Sequence, residues 1–439
     1  MAYKQVRLGD YFKFEKGLGY KGEFLAEESD VALIGMDSHD EGGGYKGGSE
    51  KPYSGAYKEI NVAFPGDVIF AATDLTQDGR VLGSPLLVPE SDEFQTYIYS
   101  HHLLKAFQKK EGFLPEFLYN LYRVEKFRRK AAYADSGTTV RALPAEVLEE
   151  QVVPLPDLPL QQAINDFIAM IDQQIANNKA LSKSLETLAQ AMFKSWFIDF
   201  DPVHAKSKGK KPFGMDESTA SLFPSSFEKS DSGDIPTGWS ECEIATLFDV
   251  AIGRTPPRKE SEWFSQRGEG VPWVSIRDMG TYSVYSDRTN ECLTPEAVQK
   301  FRVPVVPEYS VLMSFKLTVG KVCITSESVV TNEAIAHFKQ KDADFPTTYC
   351  YLWLKLLNKG SLESTSSIGT ATNSQFIKKI PILKPNKEIM NVFTRTIKPV
   401  FDTILKLQSE SNSLTELIES ALPDMIHGVT KIPSEMVAS

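Results

Sequence analysis

The side chains able to do covalent or metal chemistry are present in this chain but are not gathered. Four cysteines, Cys242, Cys292, Cys323 and Cys350, lie far apart, and none is in the first half. That spacing is neither a disulfide framework nor a zinc site, so they read as reduced core residues. His101 and His102 are adjacent and would point to opposite faces of a strand, a structural pair rather than one metal site. His337, in Ala334-Ile335-Ala336-His337-Phe338, reads as strand packing, and His204 opens a polar segment. Gly17-Leu18-Gly19-Tyr20-Lys21-Gly22 formally fits a dinucleotide fingerprint. With no hydrophobic strand expected before it and no amphipathic helix after it, it reads as a loop. There is no phosphate-cradling Walker sequence and no Asn- or Asp-Pro-Pro-aromatic clamp for a base amino group. No nucleophile, base and orienting group can be assembled.

Recognition is what remains. Lys16, Tyr20, Lys21, Tyr45 and Lys46 interleave charge and aromatic rings in expected loops of the first half. Arg254, Arg258, Lys259, Arg277 and Lys316 are the counterparts in the second. Thr138, Thr139 and Arg141, echoed by Thr370 and Thr372, complete the candidate set. Lys and Arg neutralise phosphates, while Arg and aromatic side chains can also read base edges. Any one of them alone is an ordinary solvated surface charge. The net charge of −10 excludes a histone-like wrapper but not a local basic face, and it leaves an acidic remainder for a partner.

These groups must be positioned by elements the sequence repeats. At 439 residues the chain exceeds one compact core, and its 41% hydrophobic content is that of a folded protein. Leu8-Gly9-Asp10-Tyr11-Phe12 is echoed by Ile244-Ala245-Thr246-Leu247-Phe248. Phe64 to Ile69 is echoed by Val306 to Leu312, Gly137-Thr138-Thr139 by Gly369 to Thr372, and Val153-Pro154-Leu155 by Ile380-Pro381-Ile382. Two helical stretches accompany these echoes, from about Pro159 to Phe200 and from about Asn386 to Ile426. The first has an apolar spine of Ile164, Ile168, Ile171, Ile175, Leu185, Leu188 and Met192. The second has Phe393, Ile397, Val400, Ile404, Leu407, Leu414, Leu417 and Ala421. An offset of 229 carries the first spine onto the second and sets Asn178 opposite Leu407 in the alignment. Steps of four and three make a heptad seam, in which a polar Asn178 can fix register. Forty residues span about 60 Å, too long to lie on one small domain. The helices are therefore expected to pair antiparallel, with a bend at Pro399.

The expected organisation is α+β: similar globular units at 1–157 and 239–384, helices at 158–200 and 385–427, a flexible linker at 201–238 and a tail at 428–439. Expected strands include Val68–Ala71, Tyr97–Tyr99, Trp273–Ile276 and Ser310–Met313, and expected helices Leu114–Ala131 and Pro346–Leu357. No run of 18 apolar residues and no apolar leader occurs, so a cytoplasmic protein is expected.

Particular strings carry a family resemblance. Gly137-Thr138-Thr139-Val140-Arg141, then Val152-Val153-Pro154-Leu155-Pro156 and Leu160-Gln161-Gln162, form one junction. Ala191-Met192-Phe193-Lys194-Ser195-Trp196-Phe197 and Asp199-Phe200-Asp201-Pro202-Val203 end the first helix. Ser314 to Lys321 and Thr331-Asn332-Glu333-Ala334-Ile335 lie in the second unit. With the unit, helix, unit, helix order, the chain resembles the specificity subunits of type I restriction–modification enzymes along its whole length. The resemblance implies two target-recognition domains, each reading half of a split sequence in double-stranded DNA, with an undefined gap between the halves. It implies two docked methyltransferase subunits, with restriction subunits joined through them. It places S-adenosylmethionine, ATP and magnesium on those partners and no cofactor on this chain. A self-sufficient methyltransferase and a coiled-coil scaffold without nucleic acid are the alternatives. The first predicts methylation by the chain alone, the second no salt-dependent retention on duplex DNA.

Overall fold

The computed structural model describes residues 3–40, 42–74, 81–90, 93–132, 141–230, 233–316, 318–357 and 374–429. Two compact units emerge, one of residues 1–175 with 412–439 and one of residues 176–411. The helices are therefore not separate domains. Each unit contains part of both.

In the first unit an antiparallel sheet runs in the order Phe12–Lys16, Leu103–Gln108, Val68–Ala71, Pro85–Leu87. A second sheet orders Lys51–Pro52, Val31–Ile34, Thr96–Tyr99 and Val62–Ala63, its central pair parallel. Strand Lys4–Arg7 pairs with Val152–Leu155, just ahead of the helix Leu158–Phe197. The expected helix 114–131 is two, Pro115–Arg123 and Glu125–Ala132, parted at Val124. Phe12, Phe70, Phe117 and Tyr122 share one core with Ile164, Ile168 and Ile171 from the first long helix and Ile418, Leu422 and Met425 from the last.

The second unit repeats this plan. Its sheets order Phe248–Ile252, Ile335–Gln340, Val311–Ser314, Val322–Ile324 and Phe264–Gln266, Glu291–Leu293, Val271–Val274, Val330–Thr331. Strand Ser240–Glu243 pairs with Pro381–Lys384 ahead of the last helix, Lys387–His427. Phe193, Trp196 and Phe197 from the end of the first long helix pack with Phe393, Ile397 and Ile404 from the start of the last. Early turns of one helix thus meet late turns of the other in each unit, an antiparallel coiled-coil pairing. The helix starts match: Asp157 Oδ1 accepts from the Leu160 N–H at 3.2 Å, and Asn386 Oδ1 from the Ile389 N–H at 3.0 Å. The last helix runs unbroken through Pro399.

Three further expectations differ from the structure. Leu188 and Leu417 do not lie on the seam. They are 60% and 43% exposed, while Ala189 and Ile418, one residue on, are 0% and 5%. Alternating steps of four and three through 175, 178, 182 and 185 reach 189, and the offset of 229 carries 189 onto 418. Second, Val153 faces Val6 as Ile382 faces Cys242, so the strand echo sits two residues from the alignment read off the prolines and shares the helix offset. Third, 201–238 is not a flexible linker. It forms helices Asp201–Ser207 and Glu217–Leu222 and the hairpin Phe227–Ser230 with Gly233–Pro236. Val203, Phe223 and Ile235 bury their side chains with Trp239 against the second core, enough apolar area to hold a polar-looking segment.

Candidate functional site

The loop that carries Tyr20 and Lys21 leaves strand Phe12–Lys16 at Gly17, so a strand does precede this Gly-rich run. The loop leads into a single turn, Gly22–Phe24, and not into an amphipathic helix. A Cβ on Gly17 would sit 2.1 Å from the Tyr99 carbonyl oxygen, so only glycine fits this backbone crossing. Gly253 makes the same crossing in the second unit, 2.2 Å from the Thr331 carbonyl oxygen, and opens the loop that carries Arg254, Arg258 and Lys259.

Backbone hydrogen bonds extend this equivalence. The Gly17 N–H donates to Leu103 O at 3.2 Å and the Gly253 N–H to Ile335 O at 3.1 Å. Leu18 donates to Tyr99 O at 2.7 Å, Arg254 to Thr331 O at 2.9 Å. Ser100 donates to Ile34 O and Asn332 to Val274 O, both at 3.1 Å. Ala72 donates to His102 O at 2.8 Å and Phe315 to Ala334 O at 3.0 Å. Ser100 therefore stands where Asn332 stands, Thr73 where Lys316 stands, and Asp37, three residues past Ile34, where Arg277 follows Val274.

In the first unit this position opens into a cavity of about 440 Å³, whose wall includes Tyr20, Lys51, Thr73, Ser100 and His102. Tyr20 packs edge-on against Tyr53 and His101. His101 and His102 occupy a turn, not a strand, and their rings lie 3.9 Å apart instead of on opposite faces. His102 Nδ1 lies 3.0 Å from Thr73 Oγ1, and burial followed by the neighbouring His101 lowers its pKa. Lys16 and Lys46 are exposed, and Lys21 is exposed with Glu23 at 3.5 Å. Tyr45 is half-buried against the core of Ala32 and Ile34.

The second unit spends some of its cations on its own frame. Arg258 forks onto Glu291 at 2.8 and 3.2 Å and lies 4.4 Å from the ring centres of both Phe264 and Trp273. Arg254 donates to Phe301 O at 2.7 Å. Both brace the loop that leaves Gly253. Lys259 and Arg277 are exposed and Lys316 is half-buried. Arg277 lies on the helix Ile276–Thr281, started by a capping box in which Asp278 Oδ2 accepts from the Ser275 N–H at 2.8 Å.

Thr138, Thr139, Thr370 and Thr372 lie outside the described residues, and Arg141 is described only as part of the short strand Arg141–Ala142. Asp37, Ser100 and His102 were not among the sequence candidates, and the structure sets all three in the wall of the first unit's cavity. The available signal was the string Thr331 to Ile335, whose counterpart Tyr99 to Leu103 has no residue identical to it. Among the described residues no group of three or more His, Cys, Asp or Glu is placed to hold a metal ion, and no helix is long and apolar enough to cross a membrane.

Residues 2–187 and 236–416 match the family described as the type I restriction modification DNA specificity domain. The specificity subunit of the type I restriction enzyme HindI from Haemophilus influenzae is 28% identical over 382 residues, covering 77% of this chain and 82% of that protein. The MjaIX specificity subunit from Methanocaldococcus jannaschii is 24% identical, covering 74% of this chain and 71% of its own. In fold, the crystal structure of a type I restriction–modification S subunit from M. genitalium matches with a TM-score of 0.52 at 12% identity, over 98% of this chain and 97% of that one.

Proposed function

The chain belongs to the type I restriction–modification DNA specificity family, and from that membership we propose that it is the subunit through which a type I complex finds its DNA. Each unit reads one half of a bipartite duplex target. The paired long helices set the spacing of the halves and dock two methyltransferase subunits, through which restriction subunits join. The chain itself does no covalent chemistry. S-adenosylmethionine, ATP and magnesium belong to the partner subunits.

The observation that carries this reading is the repeated crossing at Gly17 and Gly253, which presents a loop of basic or aromatic residues in each unit. Two copies of one presentation scaffold with different side chains are what two separate half-sites require. The test is reconstitution. Methyltransferase subunits with this chain are expected to methylate a two-block sequence, and neither component alone to do so. Methylation by this chain alone with S-adenosylmethionine would overturn the non-catalytic assignment. A complex with no salt-dependent retention on duplex DNA would overturn the DNA-binding one.

A further inference from the structure

The cavity of the first unit has a buried, unanswered hydroxyl in its wall. Ser100 is 1% exposed, and its Oγ has no hydrogen-bond partner among the described residues. At the same cavity Asp37 holds out a carboxylate that is 73% exposed, 3.5 Å from Lys51 Nζ. Asp74 also contributes to the lining. A phosphate placed here would meet the Asp37 carboxylate, paired only at 3.5 Å by the single Lys51, with Asp74 beside it accepting from the Val81 N–H, so the acidic side chains outnumber the lysine and disfavour an anion. A neutral group that donates to Asp37 and bonds the Ser100 hydroxyl fits instead.

The equivalent positions of the second unit have the opposite polarity. Arg277 replaces Asp37, Lys316 replaces Thr73 and Asn332 replaces Ser100. An ionised Asp only accepts hydrogen bonds, and an Arg only donates them. In the major groove the exocyclic amines of adenine and cytosine donate, while guanine O6 and N7 accept.

Resting on the DNA-specificity reading, we propose that both units read a base with this one position of the fold. The first takes the exocyclic amine of adenine or cytosine with Asp37 and Ser100. The second takes guanine with Arg277. The two half-sites therefore differ at the base each unit reads from here.

The test uses the whole methyltransferase complex with Asp37→Ala or Arg277→Ala. Methylated sites are mapped in cells, and rates are measured on duplexes with single base changes. Asp37→Ala is expected to lower discrimination roughly tenfold or more at one A or C position of the first block, leaving the second block unchanged. The base specified there by the unaltered complex decides between adenine and cytosine. Arg277→Ala is expected to relax one guanine of the second block alone. Native selectivity at every position in both variants would overturn the proposal, and so would a uniform loss of methylation in variants that melt at the native temperature. An unaltered complex without a two-block preference would instead overturn the specificity reading. The two variants lie in different units, so misfolding of one leaves the other decisive.

Discussion

Arg123 forks onto Asp172, with Nη1 to Oδ2 at 2.5 Å and Nη2 to Oδ1 at 2.9 Å. The pair joins the helix Pro115–Arg123 to the face of the first long helix. Nearby, Asn120 Nδ2 donates to Asn165 Oδ1 at 2.9 Å. Gln161 accepts from the Leu114 N–H at 2.8 Å and donates to Gly112 O and Pro156 O at 3.0 and 2.8 Å. These directional polar ties hold the globular part of the first unit at one angle on the long helix, which non-directional apolar contacts define less sharply.

Removing one side of that fork should therefore be felt. Asp172→Ala leaves a largely buried guanidinium without its partner, and the half-exposed carboxylate tempers the cost to about 1–2 kcal/mol. Arg123→Met with Asp172→Ala should recover part of it, because both charges are then gone. Denaturant midpoints of the three variants check this. A double variant weaker than Asp172→Ala would contradict it.

The seam supplies a sharper contrast between neighbours. Ala189→Asp and Ile171→Asp bury a charge between the helices and should each cost several kcal/mol, on the order of 3–5. Leu188→Asp should change stability by no more than about 0.5 kcal/mol, because that side chain faces solvent. Val400→Asp should fall between, since Val400 is half-buried against the second core. Melting temperatures order the four, and a Leu188→Asp as damaging as Ala189→Asp would refute the corrected register.

Acid sensitivity should come from one buried histidine in each unit. Burial lowers the pKa of His39 to about 4 and of His337 to about 4, from an ordinary value near 6.5. Between those values the unfolded chain binds protons that the folded chain refuses. Stability is then full above about pH 6.5 and declines as pH falls toward 4, by up to about 1.4 kcal/mol per pH unit for each histidine. Urea midpoints from pH 7 to 4 should show that slope. His39→Gln and His337→Gln should each flatten it.

The seam shows what was legible in the sequence and what was not. Ile164 to Ile175 and Phe393 to Ile404 announce themselves, because large apolar residues fall on the period. At 188 and 189 apolarity and period disagree, and the small Ala189 keeps the period because two helices must approach there. Segment 201–238 reads as a solvent-facing linker because the apolar residues that anchor it, among them Val203, Phe223 and Ile235, are scattered, and only tertiary contact unites them. Charge picked out Arg277 and Lys316 in the sequence, and the structure sets them at the positions that Asp37 and Thr73 hold in the first unit. Asp37 and Ser100 stayed hidden because their equivalence to Arg277 and Asn332 is written in backbone hydrogen bonds, not in side-chain likeness. Arg258, chosen for its charge, is held by Glu291 and two rings.

In the proposed function two readers divide one target and the helices set its spacing. Four residues inserted near Lys179 lengthen the first long helix by about 6 Å, close to the rise of two base pairs. Four residues inserted after the exposed Gly209 lengthen the chain without lengthening a helix. The deciding measurement is a genome-wide map of methylated sites in cells carrying each variant. The helix insertion should widen the undefined gap, or abolish methylation through lost seam register, while the other insertion leaves the gap alone and both keep the defined blocks. A gap that tracks the Gly209 insertion and ignores the helix, or a methylated sequence with no gap at all, would overturn the assignment of spacing to the helices.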